Sequence, residues 1–394
     1  MGMPIQSRHG ASVKADRFGI NFHFKFIEFR AIRSIPSLIE TVNEYLDVAG
    51  IRINGGRPWD IAVHDERFFP AVLSEGALGL GESYMDGWWD CGDLSQMFCR
   101  LLKAYPDRRW GASWRVAAVI LKAKMINRQR KSQAARNVHV HYDLGNDLYR
   151  NMLGQWMLYS SANWEHARNL SEAGEAKLDF VCRRLNLQAG QRVLDIGCGW
   201  GGFAKYAAEK YGVQVVGVTI SNQQAALARQ LCSNLPVEIR YLDYRELDDK
   251  FDQIVSLGMF EHVGYKNYRR YMEIVHRCLN RGGRLFLNTI GSIESGYCIN
   301  SWTDKYIFPG GMMPSMAQIG SAIDGLFVME ELQDWAGFYD RTLMSWFENF
   351  HSNWNILKTH YTEQFYRMWK YYLLSSAGAF RAREIQDWQI VLLR

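Results

Sequence analysis

The period of polar and apolar positions changes along the chain, and those changes divide it. Residues 1–34 carry no clear period: FGINFHFKFIEFR alternates like a strand but is unusually aromatic and basic, which suits a packed element and a surface-adsorbing extension equally. Between about 36 and 105 the spacing becomes helical. SLIETVNEYLDVAG closes on a glycine suited to a helix C-cap, a turn-rich INGGRPWD and a compact GALGLGESYMDGWWD follow, and LSQMFCRLLKAY is helical again.

From Ser171 the character changes. SEAGEAKLDFVCRRLNL sets Leu178, Val181, Cys182 and Leu185 on one helical face, with Glu172 and Glu175 early, where the helix dipole favours acidic groups. Short apolar runs then alternate with helical stretches: RVLDI, VQVVGVT, VEIRYLDY, FDQIVSLG and RLFLNTIG, the last preceded by NYRRYMEIVHRCL. This rhythm predicts an α/β fold with a mostly parallel sheet covered by helices on both faces. Residues 292–394 read as loop-rich at first (CINSWTDKYIFPGGMMPS) and then as helical and aromatic, a lid and flank for the sheet.

Composition narrows the class. A chain of 394 residues, 48% hydrophobic and 22% charged, is that of an ordinary globular protein of two or three domains. VAAVILKAKMI, interrupted by Lys122 and Lys124, falls short of the roughly 18 apolar residues of a membrane span, so no integral membrane segment is expected. The first residues lack the pattern of a secretory signal, and a cytoplasmic location is expected. Seven cysteines without a C-x-x-C pair fit neither a disulfide framework nor a structural zinc site; they are expected to be reduced and mostly buried, with no metal. Arg115, Lys122, Lys124, Arg128, Arg130, Lys131 and Arg136 gather positive charge in one segment, which suits anionic head groups or phosphates and equally a solvated helix face.

The chemistry concentrates after the first strand of the sheet, in VLDIGCGWGG (193–202). A glycine-rich turn at the carboxyl end of a strand lets a ligand approach the backbone, and it also serves as a tight structural turn. The spacing is G-x-G-x-G-G and not the dinucleotide G-x-G-x-x-G. No acidic residue ends the second strand, Ser221 follows VTI as a helix cap, and Asp243 ends the third strand. Ser221 and Gln224 also spell a capping box. Together these features resemble methyltransferases that hold S-adenosylmethionine. That resemblance implies a Rossmann-like class I sheet, with Asp195, Gly197 and Gly199 at the cofactor and Asp243 accepting a hydrogen bond from the adenine amino group.

Longer motifs sharpen the likeness. HYDLGNDLY (141–149), VLDIGCGWGGFA, VVGVTIS, SLGMFEHVG (256–264), KYIFPGG (305–311) and GAFRAREIQDWQ (378–389) resemble the cyclopropane fatty acid synthases, and GLGESYMDGWWD (79–90) resembles the front domain of the phospholipid-acting members. The resemblance runs from about residue 40 to the end. It implies an extension over 1–35, a small, mainly helical lipid-engaging and pairing domain over 36–120, and a catalytic domain over 121–394. It further implies a cytoplasmic enzyme at the inner membrane face, a possible homodimer, that methylates a cis double bond of a phospholipid acyl chain and closes the added carbon into a ring. Because the basic segment precedes HYDLGNDLY as it does in the lipid family, no nucleic-acid partner is expected.

By the same likeness Tyr159, Ser160, Thr219, Gln224 and Tyr244 join the cofactor contacts. In that family a bicarbonate, gripped by a cysteine, a glutamate, a histidine, a tyrosine and an isoleucine main chain, removes the ring-closing proton. Here Glu261 and Ile290 keep their types, whereas Ser161, Asn288 and Phe347 stand at the cysteine, histidine and tyrosine positions. Serine and asparagine still donate hydrogen bonds to an anion; phenylalanine offers none. Bicarbonate is therefore doubtful, and two outcomes stay open: another base such as Glu261 completes a ring, or the product is methyl-branched or methylene-bearing, or forms on a soluble olefinic metabolite. A cofactor-binding pseudoenzyme is the third reading. Trp302, Tyr306, Phe308, Trp346, Phe347 and Phe350 are candidates to line the cationic centre that methylation of an alkene creates. His262, beside Glu261, is expected to point away from it as a structural histidine.

Overall fold

The computed structural model of the protein describes residues 34–105, 145–296 and 299–394. The aromatic extension, the basic cluster 115–136 and the first four residues of HYDLGNDLY lie outside them.

The front part consists of α1 (Ile35–Val48), β1 (Ala62–Val63), α2 (Phe68–Glu75), α3 (Ala77–Met85), β2 (Trp89–Asp90) and α4 (Leu94–Ala104). The glycine expected to end α1 does so: Gly50 has φ +63°, and the Gly50 and Ile51 amides return to the Asp47 and Leu46 carbonyls. Further along come α5 (Asn146–Leu153), α6 (Leu170–Arg184), β3 (Arg192–Ile196), α7 (Gly202–Tyr211), β4 (Gln214–Thr219), α8 (Asn222–Leu231), β5 (Val237–Tyr241), β6 (Gln253–Leu257), α9 (Tyr268–Cys278) and β7 (Arg284–Ser292). The chain finishes with α10 (Ser301–Tyr306), α11 (Met316–Ile323), β8 (Val328–Asp334), α12 (Ala336–Ser352), α13 (Trp354–Leu357), α14 (Glu363–Arg381) and β9 (Ile385–Leu393).

The sheet has seven strands in the order β5-β4-β3-β6-β7-β9-β8. The first five are mutually parallel, as the alternation predicts; β9 runs antiparallel between β7 and β8. The predicted face of α6 is realised, since Leu178, Val181, Cys182 and Leu185 are all fully buried. This is a Rossmann-like sheet with a mainly helical front part.

The carboxy-terminal end departs from the helical expectation, because β8 and β9 complete the sheet there. IQDWQIVLL carries an aspartate and two glutamines, residues of low strand propensity, yet the strand is buried on both faces and its neighbours impose its form. VMEELQD is an edge strand whose exposure alternates residue by residue.

The front part and the sheet-bearing part share one apolar core, in which Trp89, Phe98 and Tyr84 meet Tyr371, Trp302 and Trp369. Polar contacts seal the seam. Arg381 makes a two-pronged bond to Asp340 and a third bond to Ser95 Oγ (all 2.9–3.0 Å), and Arg367 donates to the Trp89 carbonyl. Gly378 lies so close to α4 that a Cβ would stand 2.5 Å from the Ser95 carbonyl oxygen. The six described cysteines are all free and buried; Cys298 lies outside the described residues.

Candidate active site

Parallel strands leave their ligand crevice at their carboxyl ends, where the strand order reverses. Here that is between β3 and β6, and a cleft enclosing about 1150 Å³, its open mouth included, lies there and extends over the end of β4. Its walls come from the residues after β3 (Gly197–Trp200), the end of β4 (Val218–Ile220), the turn after β5 (Leu242–Arg245), the turn after β6 (Leu257–Met259) and the segment Met157–Ser160. All nine sequence-predicted cofactor positions line it: Tyr159, Ser160, Asp195, Gly197, Gly199, Thr219, Gln224, Asp243 and Tyr244.

The glycines of the turn differ in what they keep out. A Cβ on Gly197 would stand 2.8 Å from Met259 Cγ, one on Gly201 3.2 Å from Ala228 Cβ, and one on Gly202 2.0 Å from the Trp156 carbonyl oxygen. A Cβ on Gly199 would meet nothing within 4 Å. Packing excludes a side chain at Gly197, Gly201 and Gly202, while Gly199, held at φ +52°, borders open space.

Around that space polar groups are poised. Ser160 is buried, and its Oγ has no hydrogen-bond partner among the described residues. Burial pushes the Asp195 carboxyl up to about 7, so a cationic group brought beside it would restore the charged form. Ser221 caps α8 by accepting from the Gln224 amide (3.3 Å), but only half of the capping box forms: the Gln224 side-chain oxygen accepts from Thr219 Oγ1 (2.8 Å). The Asp243 carboxylate accepts from the Arg245 amide at 3.0 Å and lies 3.4 Å from its guanidinium. Tyr159 shares a hydrogen bond with Tyr372 (2.8 Å) and lies against Trp346, ring centres 5.1 Å apart. These features fit S-adenosylmethionine: an open cradle, an unspent donor and a carboxyl that gains from a neighbouring cation.

Of the aromatic candidates, Trp346 reaches the cleft through Tyr159, and Phe308 stands 5.7 Å from His262 and 5.9 Å from Tyr372. Trp302 instead packs on Tyr371 and Gly81, and Tyr306 bonds to Glu82 (2.8 Å), so both serve the seam with the front part. Phe350 packs with Trp354 and Tyr366. His262 corrects its expectation. Phe260–His262 is a 3-10 turn and not an extended segment, which puts His262 on the cleft wall. Burial lowers its imidazole to about 4, so it is neutral near pH 7.

The five positions at which the resemblance implies bicarbonate do not form an anion site. Glu261 Oε1 accepts from the Ile290 amide (2.6 Å), and its Oε2 is buried without a partner among the described residues. Its carboxyl is pushed up to about 7, chiefly by burial and in part by the charge of Asp387. Ser161 and Asn288, both fully buried, donate to Asp387, at 2.5 Å and 2.7 Å. Phe347 stacks on His351 and lies under the Lys370 ammonium. The donors expected to hold bicarbonate are thus already occupied or absent, and the residues do not fit that group.

Sequence reasoning missed Asp387, Gln389, Lys177 and Tyr372. A signal existed for the first two: once IQDWQIVLL is a strand, Asp387 and Gln389 alternate onto one face.

The family model for mycolic acid cyclopropane synthetase matches residues 129–390. A cyclopropane-fatty-acyl-phospholipid synthase from Escherichia coli strain K12 is 49% identical over 352 residues, 89% of this chain and 92% of that protein. A tuberculostearic acid methyltransferase from Mycobacterium tuberculosis is 32% identical, covering 81% of this chain and 79% of its own. Among solved structures, a mycolic acid cyclopropane synthase in complex with SAH and CTAB matches with a TM-score of 0.63 at 32% identity, over 66% of this chain and 98% of that one. With motif, fold and cleft agreeing with these matches, the chain belongs to the mycolic acid cyclopropane synthetase family.

Proposed function

We propose that the protein transfers a methyl group from S-adenosylmethionine to a cis double bond of an unsaturated phospholipid acyl chain and closes that carbon into a cyclopropane ring. The observation that carries this reading is the cleft at Gly199, lined by every residue expected to hold the cofactor. When bound, the cofactor supplies an electrophilic methyl group on a sulfonium.

The chain's own residues do the rest. Gly199 leaves backbone bare for close approach, Asp195 offers its carboxylate to positive charge, and Ser160 donates its free hydroxyl. Thr219 and Gln224 brace each other on one wall, while Asp243, beside Tyr244, would accept from the adenine amino group of the bound cofactor. An alkene is a weak neutral nucleophile, so alignment and exclusion of water dominate. Trp346 with Tyr159, and Phe308 near His262, supply aromatic faces worth about 1–2 kcal/mol each to a desolvated cation.

Ring closure breaks a C–H bond of the transferred carbon, and its electron pair forms the second ring bond. The proton goes to Glu261. This carboxylate is held through Oε1 by the Ile290 amide, keeps Oε2 unspent, and with a pKa of about 7 is a capable base near neutral pH.

The protein works on the cytoplasmic membrane face as a peripheral homodimer, and vesicle flotation and light scattering check those two points. No described helix is long and apolar enough to cross a membrane. The functional test is incubation of the full chain with methyl-labelled S-adenosylmethionine and monounsaturated phospholipid vesicles. Label in the acyl chain is expected; absence of label in lipid despite measured cofactor binding contradicts the proposal.

A further inference from the structure

We propose that Asp387 is a built-in anion that closes this pocket to small diffusible anions, so that turnover does not depend on bicarbonate. The inference rests on the ring-forming reading above.

Three donors converge on the Asp387 carboxylate: Ser161 Oγ and Gln389 Nε2 on Oδ2 (2.5 and 2.7 Å) and Asn288 Nδ2 on Oδ1 (2.7 Å). The orientation of Gln389 is fixed in turn, because Lys177 Nζ donates to its Oε1 at 2.7 Å and leaves the amide nitrogen for Asp387. Lys177 is wholly buried and supplies the counter-charge that a buried carboxylate requires. Register explains how the group assembles. Asn288 pairs with Gln389 and Ile290 with Asp387 across β7 and β9, so all four share one face of the sheet.

Ser161 and Asn288 keep no donor for a second anion, since the serine hydroxyl is given to Asp387 and the asparagine amide to Asp387 and the Trp388 carbonyl, and an entering anion would face the Asp387 and Glu261 carboxyl groups. Asp387 also acts on its neighbour: its charge helps to hold the Glu261 carboxyl up, which favours proton uptake. Asp387 is therefore a positioning residue, acting through Glu261 and the Ser161–Asn288 pair.

The test measures label transfer to vesicles of monounsaturated phosphatidylethanolamine in degassed, bicarbonate-free buffer and again with bicarbonate or formate added. The wild-type rate is expected to be unchanged by either anion. Asp387→Ala is expected to lose about 100-fold or more of the anion-free rate and to recover several-fold with formate or bicarbonate, which a purely structural role would not produce. Asp387→Asn keeps the shape, leaves no vacancy, and is expected to lose rate without rescue. A wild-type rate that collapses on bicarbonate removal overturns the proposal, as does a folded Asp387→Ala that stays fully active or that no anion restores. If Asp387→Ala does not fold, the wild-type comparison decides. Absence of label from wild type in every buffer defeats the functional reading instead, and is told apart by that pattern.

Discussion

The cleft after β3 and the polar cluster between β7 and β9 are built from similar materials and do opposite things. At the cleft a glycine leaves its Cβ position empty, a serine hydroxyl goes unspent, and a carboxyl is held up by burial. In the cluster the polar groups partner one another: Ser161, Asn288, Gln389 and Lys177 form a chain of bonds centred on Asp387. Buried polar groups must find partners somewhere. Where the protein leaves them unmatched it is arranged for a ligand, and where it matches them internally it has dispensed with one. Glu261 sits between the two regimes, one oxygen fixed by Ile290 and the other unspent.

Substitutions can break or sharpen this contrast. The largest effect is expected at Glu261. Glu261→Gln should lower label transfer by about 10²–10⁴-fold while calorimetry finds cofactor affinity unchanged; near-normal turnover would remove Glu261 as the base. Next, Lys177→Met should destabilise the fold by about 3–5 kcal/mol by leaving a buried carboxylate uncompensated. Adding Asp387→Leu should return much of that loss, a coupling read by denaturant melts. Third, Gly199→Ala, whose Cβ meets open space but whose φ of +52° adds backbone strain, should weaken cofactor binding and lower the melting temperature together, whereas Gly202→Ala, whose Cβ collides with the Trp156 carbonyl, should mainly lower the melting temperature. The smallest effect is that of Tyr159→Phe, which gives up one hydrogen bond to Tyr372, about 1 kcal/mol.

The pH dependence follows from Glu261. Its carboxyl is raised from 4.5 to about 7 in the folded protein, so it favours the fold below pH 4.5, and that contribution is lost as pH rises through about 7. Activity should move the other way, increasing through pH 7 as the carboxylate forms. A rate already at its plateau at pH 5.5 would contradict this.

The parallel half of the molecule was legible because its local signals agree: short apolar runs, helical spacing between them, and glycines at the first turn. Most of the positions expected to hold the cofactor follow strand ends, so finding the strands located them, whereas Tyr159 and Ser160 came only from the family likeness. The antiparallel half was not legible, since β9 carries polar residues whose partners arrive from three distant segments, at Ser161, Lys177 and Asn288. Replacement of the family's cysteine and histidine announced that the pocket had changed. The carboxylate to which Ser161 and Asn288 donate, from a strand that read as helix, emerges only from tertiary pairing. His262 was misjudged for a local reason: a 3-10 turn rotates successive side chains differently from the extended segment assumed.

The central claim is that this site, with its own carboxylates, removes a proton from the carbon it transfers. The most direct test uses cofactor bearing a trideuterated methyl group, with vesicles of a monounsaturated phospholipid in bicarbonate-free buffer, and reads the product by mass spectrometry. The account predicts acyl chains that gain one carbon and retain two of the three deuterons, as ring closure requires. Product that retains all three, or no product until bicarbonate is added, would contradict it.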